Sequence, residues 1–120
     1  KLATLRVKAV AARDDREAWA RVIEAIASEG RLDSDVVFAA AAASARLKKL
    51  ELDPMVERFI ANADAGARRL SLLLLERVVA AKGWSPERLA QLGRLRKDDA
   101  PWVSSAAAMV WPPREDDPGF

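Results

Sequence analysis

Leu70-Ser71-Leu72-Leu73-Leu74-Leu75-Glu76-Arg77-Val78-Val79 is the stretch that decides the fold of this chain. One face of a helix recurs every three to four residues, and here apolar side chains fall on nearly every face. A helix of that kind is tolerated in water only where other elements cover it on more than one side. The spacing predicts a helix from about Ala67 to Ala81, ended by Gly83 and placed in the middle of a helical assembly.

Helical periodicity continues on both sides. Downstream, Ser85-Pro86 is a capping residue followed by proline in the first turn, and Leu89, Leu92 and Leu95 give the inward face. Asp98 to Pro101 reads as a turn before a last helix from Trp102 to Val110, which Pro112-Pro113 stops. Upstream, Asn62 to Gly66 is a turn. Asp53-Pro54 reads as a cap and a first-position proline for a short helix carrying Met55, Val56, Phe59 and Ile60. An alanine-rich helix is expected from Asp33 or Ser34 to about Leu50. Trp19, Val22, Ile23 and Ile26 form one stripe of another helix, begun at Asp14-Asp15 and ended by Gly30. Glu17 and Arg21 form an i,i+4 pair on its wet side.

Residues 2–10 alternate as a strand would, but a lone strand has no partner, so a helix is expected there. The fold class is therefore all-α, with six or seven short helices. Residues 1–111 read as a single helical domain and residues 112–120 as an acidic, proline-containing tail, disordered or loosely docked.

Composition narrows the chemistry. The 120 residues contain neither cysteine nor histidine, with 20 basic and 18 acidic side chains for a net charge of +2. Disulfides, thiol nucleophiles, imidazole proton shuttles and zinc sites of the usual ligands are excluded. The five glycines are isolated, so no phosphate-cradling loop is formed. No cofactor, no metal and no catalytic set are expected. The acidic pairs Asp14/Asp15 and Asp98/Asp99 read as helix caps, and Asp116/Asp117 as a solvated end. No apolar run reaches the ~20 residues that cross a bilayer, and no signal peptide is visible, so a cytoplasmic location without membrane association is expected. The chain begins at Lys1, which leaves open that it is a segment of a larger protein.

Two stretches look alike at an offset of 36 residues, from Ile60 to Leu70 and from Arg96 to Ala106. In each, an amphipathic helix ends at a polar turn, a small or apolar residue follows (Ala67, Val103), and a second helix begins. Asp98-Asp-Ala-Pro-Trp-Val103 resembles the intra-repeat turn of HEAT-type helical repeats. Arg68 matches that family's basic position, where the second stretch has Ser104. A weaker third copy spans residues 13–18 at a longer spacing. The resemblance implies antiparallel helix pairs stacked so that inner helices are apolar on two sides. An irregular single-core bundle accounts for the same pattern.

Two features bear on partners. Between Gly66 and Lys97 eight basic residues face two acids, a local excess of +6 that includes Arg68, Arg69, Arg88, Arg94, Arg96 and Lys97. Such a stretch is either a solvated face or a surface for an acidic partner or nucleic acid. Of four tryptophans, Trp19 reads as core and Trp84 as the apolar contact of a helix C-cap. Trp102 and Trp111 either seal the end of the assembly or anchor a partner. The leading expectation is a non-catalytic protein-interaction or scaffold module, with nucleic-acid binding through residues 66–97 as the alternative and self-association as a further expectation.

Overall fold

The computed structural model of the chain describes residues 2–12, 15–47 and 51–113. These residues form seven α-helices and no strand: α1 (Leu2–Ala12), α2 (Arg16–Glu29), α3 (Ser34–Ser44), α4 (Leu52–Ile60), α5 (Ala65–Lys82), α6 (Pro86–Arg96) and α7 (Pro101–Ala108). Among the described residues no helix is long and apolar enough to cross a membrane.

The helix α5 occupies the centre. Its Leu70, Ser71, Leu72, Leu74, Leu75 and Val78 are all buried, because α4 packs along one side while α3 and α7 flank it. The Ser71 hydroxyl escapes the cost of burial by donating to the Arg68 carbonyl. The all-round apolar character of 70–79 thus has its expected cause: cover on more than one side.

The remaining helices fall into two rows. In the first, α3, α5 and α7 lie side by side in that order. In the second, α2, α4 and α6 follow one another, with Trp19 of α2 set edge-on to Phe59 of α4 at 5.8 Å between ring centroids. The shortest dimension of the molecule is 19 Å, the thickness of two helix layers of ~10 Å each. Helix α1 packs against α2 and α3 through Val7, Val10 and Ala11.

Local signals account for most boundaries. Asp15 accepts from the Ala18 N–H, Asp33 from Val36, Asp64 from Ala67 and Ser85 from Arg88, each a side-chain N-cap. Gly83 closes α5 at φ +83°, a conformation that glycine adopts without steric cost. Trp84, directly after it, packs back on the core.

Three boundary expectations are corrected. Asp53 is not a cap: α4 starts at Leu52, two residues before the expected Pro54, and the Asp53 carboxylate instead takes the Arg88 guanidinium at 3.1 and 3.2 Å. A charge-assisted, two-point bond outcompetes a backbone N–H. Asp98 is not a cap either. The N-cap of α7 is Ala100, and Asp98 accepts from the Ala100 N–H in the turn before the helix. Helix α3 ends at Ser44 rather than near Leu50. The Ala41 carbonyl, the acceptor that Ala45 would need to continue the helix, is taken by Arg77 at 2.9 Å and by the Ser44 hydroxyl. The Ala45 N–H turns to Ala42 and Ala43 instead. Asp14, Leu50, the tail beyond Pro113 and its Asp116/Asp117 pair lie outside the described residues.

Candidate protein-contact face

Side-chain charge is distributed unequally between the two rows. Along α2, α4 and α6 most of the cations are matched to acids. Arg58 on α4 bonds Glu24 (3.0 Å through Nε) and Glu17 (3.3 Å) on α2. Arg21 holds the same Glu17 at 3.4 Å. Glu57 on α4 accepts from Gln91 at 2.9 Å and Arg94 at 3.1 Å on α6. Asp53 accepts from Arg88 and lies 3.6 Å from Lys82. These bonds hold the carboxyls of Glu17, Asp53 and Glu57 below their ordinary range, led by the Arg58, Arg88 and Gln91 bonds respectively. Arg88 and Arg94, two of the cations that the sequence offers to a partner, are therefore engaged within the chain.

The same holds at the turns. Arg68 reaches Asp98 at 2.7 Å and also donates to the Asn62 and Ala63 carbonyls at 3.0 and 2.8 Å. Burial pushes the Asp98 carboxyl up, but the Arg68 guanidinium and the Ala100 N–H outweigh it and hold the group low. Arg96 donates to the Ala107 carbonyl at 3.3 Å and to Val110, closing the end of α7. Lys97, the C-cap residue of α6, is exposed. Most of the basic excess of residues 66–97 is thus neither a solvated face nor one continuous surface; much of it ties one helix pair to the next.

The row of α3, α5 and α7 differs. Residues at helical spacing on α5 (Ala65, Arg69 and Glu76) and on and after α7 (Trp102, Ala106 and Met109), with Ser34 of α3, line two grooves. One groove is bounded by Leu32, Ser34, Ala65, Gly66 and Trp102. The next, about 560 Å³, runs past Arg69, Glu76, Trp84, Ala106, Met109 and Trp111. On this side Phe38 is 52% exposed, Met109 76% and Trp111 82%, and Trp102 is also open to solvent. Neither terminal tryptophan is sealed into the core.

Arg69 stands in the middle of this face with its charge uncompensated. Its Nε and Nη1 are buried and have no hydrogen-bond partner. Its guanidinium carbon lies 5.8 Å from the centroid of the Phe38 ring, in cation–π range. Burial lowers its pKa, and Glu76 two turns along α5 opposes that only in part. Of the predicted contact residues, then, the structure brings Arg69, Trp102 and Trp111 onto one side. It disperses Arg68, Arg88 and Arg94 to other places.

Phe38 and Met109 belong to this face and were not marked as contact residues by the sequence. A signal for Phe38 existed: Val37, Ala40 and Ser44 share the buried stripe of α3, and Phe38 falls one residue off it. For Met109, directly after a run of alanines, no such pattern was available.

The described residues contain no group of three or more acidic side chains positioned to hold a metal ion. Comparison of the chain with family models, with curated proteins and with solved structures finds no match.

Proposed function

We propose that the chain is a non-catalytic protein-interaction module, a HEAT-like stack of helix pairs whose α3/α5/α7 side receives a protein partner. The observation that carries the reading is the asymmetry between rows. The α2/α4/α6 side is laced with ion pairs, while the opposite side leaves Phe38, Trp102, Met109 and Trp111 in contact with water. Aromatic residues and methionine grouped in this way are the usual anchors of interfaces.

The stacked-pair reading draws on a regular sequence separation. Helices α4/α5 and α6/α7 pack as pairs, whereas α2 and α3 are bridged by α1. Side-chain hydrogen bonds from α2, α3 and their connection to α4/α5, and from α4/α5 to α6 and the turn before α7, join residues 30 to 41 apart in the chain. The turns repeat a device at the offset of 36: Asn62 accepts from the N–H of Asp64, as Asp98 does from that of Ala100. A one-dimensional array, in which each unit contacts its neighbours, produces such regularity. Nucleic acid is less well supported than protein, because Arg68, Arg88 and Arg94 already bond carboxylates.

A random dodecapeptide library displayed on phage, selected on the full chain, tests the reading. The expected binders lose affinity by about tenfold or more on a Trp102→Ser/Trp111→Ser variant that still unfolds cooperatively, as for the loss of interface anchors. Binders indifferent to both tryptophans would contradict it.

A further inference from the structure

We infer that the partner segment received by the α3/α5/α7 side is acidic, presenting a carboxylate to Arg69 beside apolar side chains that enter the groove between Trp84 and Trp111. The inference rests on the protein-contact reading above and names the chemistry of the occupant.

Charge complementarity is the first ground. On the α2/α4/α6 side, acids neutralise Arg58, Arg88 and Arg94. On α5, Arg69 and Arg77 bond no carboxylate: Arg69 has Phe38 as its neighbour, and Arg77 bonds the Ala41 carbonyl and the Ser44 hydroxyl. Arg96, at the end of α6, bonds the Ala107 and Val110 carbonyls. Trp111 lines one groove with Arg69 and another with Arg96. A segment seated against Trp111 in either groove therefore meets positive charge.

The state of Arg69 is the second ground. A buried guanidinium nitrogen without an acceptor costs free energy, and folding alone supplies no compensation for it here. Those two nitrogens are closed to a groove occupant, so what an occupant can supply is a countercharge at the edge of the guanidinium that lines the groove, and a carboxylate supplies it. An apolar or basic segment would bury the cation further with no countercharge. Glu76, at the far end of the groove, bears on register: it repels an acid placed beside it, which favours seating the carboxylate at the Arg69 end.

The library binders provide the test. Asp and Glu should be enriched in them, next to aromatic or aliphatic residues. Changing those acids to Asn and Gln should weaken binding about tenfold, the scale of one desolvated charge-assisted contact. Arg69→Met should weaken the acidic peptides equally, while its midpoint of urea unfolding stays the same or rises, since an unpaired buried cation is removed. A purely structural Arg69 would instead lower that midpoint. Arg69→Lys should recover only part of the affinity, as an ammonium cannot reproduce the fork. Binders that need Trp102 and Trp111 yet carry no acidic bias would overturn this inference and leave the contact face standing. Binders that ignore both tryptophans, or no binders at all, would overturn both. Tight adsorption to anionic phospholipid vesicles through these tryptophans, with no acidic bias among peptides, would assign the face to a lipid surface and overturn the inference.

Discussion

Replacing Gly66 by alanine is expected to lower the free energy of unfolding by about 2 to 3 kcal/mol, the cost of overpacking a filled site. A β-carbon there would lie 2.2 Å from the Leu32 carbonyl oxygen and 2.6 Å from the Leu32 β-carbon. The first of these is backbone and cannot swing aside. It belongs to the connection between α2 and α3, whose Leu32 N–H is itself held by the Asp64 carboxylate at 3.1 Å. Relief would require the start of α5 to move away from that connection. The bond from the Leu32 N–H to Asp64 would be lost with it. Alanine gains ~1 kcal/mol in helix propensity over glycine, which offsets only part of the penalty. Urea unfolding with an unchanged m-value checks the expectation. A variant as stable as the parent would show that α5 does not approach Leu32 this closely.

Arg68→Met is expected to cost a similar amount, about 2 to 3 kcal/mol, because it strands a charge. The side chains of Arg68 and Asp98 are 17% and 8% exposed, so the interior geometry governs more than solvent screening. Removing the guanidinium leaves Asp98 with the Ala100 N–H and leaves the Asn62 and Ala63 carbonyls without their donor. Pairing it with Asp98→Asn should restore about 1 kcal/mol, a coupling that a double-mutant cycle isolates. Acid provides an independent reading. The folded state holds the Asp98 carboxyl below its ordinary value, so its contribution is complete above the usual carboxylate range and is lost as pH falls through the depressed one. The parent should therefore lose stability on acidification below about pH 4, and the double variant should show a shallower loss over the same window. Identical acid limbs would contradict this role for the pair.

How much of this was legible in the sequence follows from the range of each interaction. Caps at Asp15, Asp33 and Ser85 involve residues three apart, so local patterns reveal them, while Asp64 lay within a stretch read only as a turn. The central place of α5 was legible for another reason. A helix apolar on every face has few alternatives to being surrounded. Asp53 and Asp98 misled because their partners, Arg88 and Arg68, are 35 and 30 residues away. Nothing adjacent to a carboxylate tells whether a distant guanidinium will claim it. The basic excess of residues 66–97 misled in the same way, since its acids come from α4, from Glu51 just before it and from the turn before α7. Trp102 and Trp111 were visible as candidates beside Pro101 and Pro112. Their exposure was not, because it depends on which helices α7 meets.

The most direct test of the contact face follows the four indole N–H resonances while a selected peptide binder is titrated into the full chain. Trp19, fully buried between α2 and α4, serves as the internal control. The expected result is that the Trp102 and Trp111 resonances shift with saturation, that backbone amides near Phe38 and Arg69 follow, and that Trp19 stays in place. Shifts confined to α2, α4 and α6, with Trp102 and Trp111 unmoved, would contradict the assignment of the α3/α5/α7 side as the surface through which this protein works.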